Sequence, residues 1–90
     1  MQKVYRLDIE ERVKHILISK LKVSSSILAG SNSATPLLGH GIGLDSIETL
    51  TLVAAIEEEY NIEIDDGDLT VDLFKDLGTL AQYILEKISD

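Results

Sequence analysis

The sequence predicts an all-α fold, a small four-helix bundle of three long helices and one short one, with a long loop between the first and second long helices. Three observations lead there. Three separate stretches place apolar residues at helical spacing. No two segments alternate polar and apolar side chains in a way that would pair as a sheet. Leu, Ile, Val and Phe make up 31 of the 90 residues, enough for one core and too many for a disordered chain. At this length the chain forms a single domain, residues 1–90, too short for a barrel or a dinucleotide-binding unit.

The first helix is expected over about residues 8–22, because Ile9, Val13, Ile16, Leu17 and Leu21 share one face. Asp8 with Glu11 three residues on reads as an N-cap pair. Lys14, Lys20 and Lys22 lie toward its C-terminal end, which favours cations. Residues 23–44 then lose all periodicity: Ser24-Ser25-Ser26, Ser31-Asn32-Ser33 and four glycines make them a long loop. Ile27, Leu28, Leu37, Leu38 and Ile42 should tack that loop to the core, and Pro36 after Thr35 can open one helical turn.

The second long helix is expected from Ser46 to Tyr60, with Thr49, Leu52, Val53, Ile56 and Tyr60 facing inward. Asn61 to Ile64 is an extended connector and Asp65-Asp66-Gly67-Asp68 a turn. A short helix capped by Thr70 would use Leu69, Val71, Leu73 and Phe74. The last helix starts after Asp76 as N-cap, with Leu77, Leu80, Ala81, Ile84, Leu85 and Ile88 in one stripe.

Charge narrows the partners. Residues 1–43 carry six basic and three acidic side chains; residues 44–90 carry two and thirteen. The net charge of −8 argues against nucleic acid, whose phosphates would repel it, and against stable binding to anionic membranes. Basic protein surfaces suit the acidic half. The absence of cysteine removes disulfides, thiolate metal sites and a cysteine nucleophile. No run approaches the ~18 apolar residues of a membrane span, and no apolar signal core follows the first Met, so a cytoplasmic monomer is expected.

The informative segment is Gly43-Leu44-Asp45-Ser46-Ile47, where a glycine-rich approach opens a helix. Unpaired N–H groups and the helix dipole at that point favour an anion, so a phosphate ester on Ser46 would be stabilised. Alone, the serine reads as an ordinary N-cap, since Ser is a favoured cap residue. A hydrolytic triad of Ser46, His40 and Asp45 fails, because consecutive Asp and Ser side chains do not reach the needed geometry. The acidic turn at residues 65–68 lacks the order of a calcium loop, and no metal site is expected.

Taken together, Thr35-Pro36-Leu37-Leu38, the Gly43 to Ile47 segment, the acidic helix through Glu57-Glu58-Glu59-Tyr60, Ile62-Glu63-Ile64, and Leu69-Thr70 with Phe74 through Ile84 resemble the acyl carrier protein family of phosphopantetheine-binding carriers. The resemblance covers about residues 35–88 closely and the first helix more loosely. It implies a four-helix bundle whose Ser46 receives 4′-phosphopantetheine from coenzyme A through a separate phosphopantetheinyl transferase. The arm's thiol would carry acyl groups as thioesters, which suits a chain without cysteine. The chain itself would be no enzyme. Asp45 matches the acidic residue that belongs to the recognition site and helps position the transferase's magnesium.

Within that resemblance, Leu52, Val53, Ile56, Ile64 and Ile84 are expected near an acyl cavity. On the outer face of the second long helix, Ile47, Leu50 and Ala54 would form the apolar centre of a partner interface rimmed by Glu48, Glu57 and Glu58. Partners would be the transferase and acyl-loading and acyl-transferring enzymes with basic surfaces. Thr51 stands where many fatty-acid carriers have an acid, and residues 24–33 lack acidic character. A carrier for a dedicated lipid or specialised-metabolite pathway is therefore as compatible as one for fatty acid synthesis. An aminoacyl or peptidyl carrier with the same arm, and an acidic helical adaptor without a prosthetic group, remain as alternatives.

Overall fold

The computed structural model describes residues 4–89. Among these described residues four α-helices make the fold: α1 (Arg6–Leu21), α2 (Ser25–Ala29), α3 (Ser46–Tyr60) and α4 (Leu77–Ser89), with a 3₁₀ turn at Asp66–Asp68 before α4. Among the described residues there is no strand, only an isolated bridge between Leu38 and Leu44. α1 packs against both α3 and α4. Its Ile9, Val13 and Leu17, the Leu52 and Ile56 of α3, and the Leu77, Leu80, Ala81 and Ile84 of α4 are fully buried together.

α3 occupies the span expected of it, and α4 begins where Asp76 caps it, the Asp76 Oδ1 accepting the Thr79 N–H at 2.7 Å. Hydrogen bonding from Thr79 holds the Asp76 carboxyl below its ordinary range. α1 begins three residues earlier than the Asp8 cap implied. Asp8 is the third residue of the helix, and its Oδ2 accepts the N–H of Tyr5, the true N-cap residue, at 3.2 Å.

Two segments differ in kind from their sequence reading. Residues 23–44 are not loop throughout: α2 forms inside them, started by Ser24, whose Oγ accepts the Ser26 N–H, and held by the buried Leu28. Ile27, on the other side of that short helix, is half exposed and does not tack the loop down. Residues 69–75 in turn are not a helix capped by Thr70. They run as successive tight turns, Leu73 N–H to Thr70 O and Phe74 N–H to Val71 O, both at 3.1 Å, which bury Leu73 and Phe74 without the i to i+4 ladder.

Pro36 opens no helical turn either. Its carbonyl accepts the Ile42 N–H at 2.9 Å and that of Leu37 accepts the Leu44 N–H at 3.0 Å, folding residues 36–44 into a closed loop whose Leu37, Ile42 and Leu44 are buried. Just before it, Ser33 anchors the chain to two helices. Its hydroxyl lies 2.8 Å from both carboxylate oxygens of Glu10, which is only 4 % exposed, and its carbonyl accepts the Gly78 N–H at 2.8 Å. Arg6 Nε, 3.3 Å from Glu10 Oε2, supplies the opposite charge that lets this carboxylate stay inside.

Candidate functional site

The start of α3 is built by two acidic side chains. Asp45 is extended (φ −90°, ψ −179°) and is the N-cap; its Oδ1 accepts the Glu48 N–H at 2.7 Å. Glu48 Oε1 in return accepts the Asp45 N–H at 3.1 Å, closing a reciprocal capping box. Ser46 is thus the first residue of the helix and not its cap. Its side chain is exposed, and among the described residues its hydroxyl has no hydrogen-bond partner. The ordinary structural use of a serine at this position is taken over by Asp45, which leaves the Ser46 oxygen available for chemistry.

The approach to that oxygen is set by glycine. Gly43 has φ +84°, a left-handed conformation that turns the chain into α3. Gly41 lies so close to the Pro36 carbonyl that no side chain fits between them.

Beside Ser46 lies a groove of about 400 Å³, lined by Leu44, Leu50, Val53, Val71 and Phe74 among others. Val71 and Phe74 come from the turns before α4, some 25 residues along the chain. Sequence reasoning did not place either beside Ser46. Both read there only as apolar residues of a short helix with Leu69 and Leu73. Of Leu52, Val53, Ile56, Ile64 and Ile84, all are buried, and Val53 is the one that also lines this groove. Ile64 instead lines a polar cleft at the other end of α3, with Glu57 and Asp65.

On the outer face of α3, Ile47 is 74 % and Leu50 60 % exposed, and Ala54 is exposed beside them. Glu58 is exposed as well. Glu48 and Glu57 are half-buried and both bind backbone: Glu48 in the capping box, Glu57 through its Oε2, which accepts the Ile64 N–H at 2.8 Å and fixes the connector after α3.

A small helical bundle that offers one unengaged hydroxyl at a helix start, next to an apolar groove, has the form of a carrier domain. Residues 11–84 match the model of the family described as phosphopantetheine attachment site, and the chain belongs to that family. Members carry covalently attached 4′-phosphopantetheine, so the domain is a carrier rather than a catalyst and works with phosphopantetheinyl transferases and biosynthetic enzymes. The residues present fit the group: a free hydroxyl to esterify, helix N–H groups beside it for the phosphate charge, and aliphatic walls along the adjoining groove. No helix among the described residues is long and apolar enough to cross a membrane.

Proposed function

We propose that Ser46 is the attachment point and that the protein is an acyl carrier serving fatty acid, lipid or specialised-metabolite biosynthesis. One observation carries this reading: Asp45 holds the cap, so the exposed Ser46 hydroxyl is left without a partner. When attached, 4′-phosphopantetheine supplies a terminal thiol that holds acyl groups as thioesters. The chain's own residues do the rest. Asp45 and Glu48 hold the first turn of α3 rigid, so that Ser46 is presented in one orientation. Asp45 would also help position the transferase's magnesium, the role that the resemblance gives to the acidic residue before the serine. Ile47, Leu50 and Ala54 offer an apolar contact face, and the acidic second half of the chain draws in enzymes with basic surfaces. The working form is a monomer in the cytoplasm.

The test is mass spectrometry after incubation with coenzyme A and a broad-specificity transferase. The wild-type chain should gain one phosphopantetheine, on the peptide containing Ser46, and Ser46→Ala should gain none. Modification of Ser46→Ala would refute the attachment point. Offering the loaded form to acyl- and aminoacyl-activating enzymes separates an acyl from an aminoacyl or peptidyl carrier. Acyl loading is expected to shift the methyl NMR signals of Leu52, Val53, Ile56, Ile64 and Ile84. Shifts confined to Val53 would place the cargo in the surface groove alone.

A further inference from the structure

The outer face of α1 is self-complementary. Ile9, Val13, Ile16 and Leu17 turn one side of this helix into the core, where it packs on α3 and α4. At about 100° per residue, Leu7, Glu11, Lys14 and Ile18 lie together on the opposite side, at the 4-3-4 spacing of a coiled-coil seam. Leu7 is 64 % and Ile18 39 % exposed, so an apolar side chain marks each end of the seam. Between them Lys14 Nζ lies 3.2 Å from Glu11 Oε2. Glu11, Lys14 and Ile18 also form one wall of a groove of about 450 Å³, with Ser25, Leu28 and Ala29 of α2 as the other. The charges along α1 divide at its midpoint. Asp8 and Glu11 precede it; Lys14, Lys20 and Lys22 follow it, with His15 beside Lys14 and no acid. The other charges of the first half, Arg6, Glu10 and Arg12, are engaged: Arg6 with the buried Glu10, and Arg12 with Glu59 of α3.

We propose that two copies of this chain pair through α1, antiparallel about a twofold axis between residues 12 and 13. Leu7 of each copy then meets Ile18 of the other, at the mouth of the groove between α1 and α2. Glu11 of each copy meets Lys14 of the other, so the four charges alternate around the axis. A parallel pair would set Glu11 on Glu11 and Lys14 on Lys14. The charged pair at the centre therefore fixes direction and register, while the two Leu–Ile contacts supply the attraction. The acidic half of each helix also lies on the basic half of the other. The chain's excess of negative charge sits in residues 44–90 and not on α1. One seam of this length buries less than the ~1,200 Å² of stable complexes. The chain therefore stays a monomer at the dilution of an enzyme assay and pairs when crowded. Because α3 packs on the other side of α1, pairing leaves both Ser46 hydroxyls exposed. This inference does not depend on what Ser46 carries.

Sedimentation velocity of the full chain, from roughly 20 µM to 1 mM, tests the pairing; the average mass should rise toward that of two chains across this range. Leu7→Ser and Ile18→Ser should each weaken the pair at least about tenfold, since either change removes two apolar contacts per pair. Glu11→Lys alone and Lys14→Glu alone should each remain monomeric, because every seam charge then has the same sign. An equimolar mixture of these two variants should pair again, one positive seam on one negative seam. The chain has no cysteine, so Leu7→Cys and Ile18→Cys report direction: oxidised together, they should cross-link to each other in preference to themselves. Ile47→Ser and Ser46→Ala, on α3, should pair like wild type. A wild-type chain that stays monomeric at the highest concentration overturns the proposal. So does pairing that survives Leu7→Ser or is lost in Ile47→Ser, a mixture of the charge variants that fails to pair, or Leu7→Cys that cross-links chiefly to itself. Wild-type pairing in a Ser46→Ala chain that still gains phosphopantetheine would remove the attachment reading and leave this one standing.

Discussion

Gly41→Ala is expected to melt about 10–20 °C below wild type and to be modified at Ser46 several-fold more slowly. A Cβ at residue 41 would land on the Pro36 carbonyl, which is backbone and cannot swing aside. That same carbonyl holds the Ile42 N–H at 2.9 Å, and the next rung, Leu44 N–H to Leu37 O at 3.0 Å, depends on it. Relief of the clash therefore costs about two hydrogen bonds, at roughly 1 kcal/mol each, and loosens the buried Leu37, Ile42 and Leu44. A total of about 3 kcal/mol is large against the 5–15 kcal/mol of a whole domain. Ser46 follows Leu44 by two residues, so the damage reaches the site directly. Gly39→Ala is the control: residue 39, unlike residue 41, has a left-handed φ, +63°, but no neighbouring atom lies within 4 Å of its Cβ position, so about 1–2 kcal/mol of backbone strain is the whole cost. Calorimetry and a modification time course compare the two. Equal losses would show that backbone conformation, not crowding against Pro36, makes this loop glycine-rich.

Ile56→Ala should lose 2–5 kcal/mol of stability, the range for emptying a fully buried aliphatic site. Ile56 has no exposed surface and belongs to the cluster that joins α3 to α1 and α4. In a domain of this size such a loss lowers the melting point by more than about 10 °C. Ser46 stands on the exposed side of the same helix, so below the melting transition the variant should still accept the arm at near wild-type rate. Leu50→Ala, on the outer face, should change stability by less than about 0.5 kcal/mol. Urea titration of both variants gives the answer, and comparable losses would contradict the assignment of inner and outer faces on α3.

Much of this arrangement is written locally. The span of α3 follows from the glycine-rich approach that ends at Ser46 and from a periodic apolar face; that of α4 follows from Asp76 and its stripe. The start of α1 was misplaced because an Asp at the cap and an Asp at the third helical position look alike when an acid follows either. α2 was hidden by its serines, which read as loop formers, while the burial of Leu28 that secures it is a long-range effect. The opposite error at residues 69–74 has the same origin: the apolar spacing suits a helix, but the short link to α4 compresses it into turns.

Periodicity and capping act over a few neighbouring residues, and so the amino-acid order alone determined the helical class, the extent of α3 and the position of Ser46 at its start. Which group caps that helix, and hence that the Ser46 hydroxyl is spare, needed the Asp45–Glu48 geometry. The groove was decided by tertiary packing alone, because Val71 and Phe74 reach Ser46 only after α4 has docked on α1 and drawn the intervening turns across the end of α3.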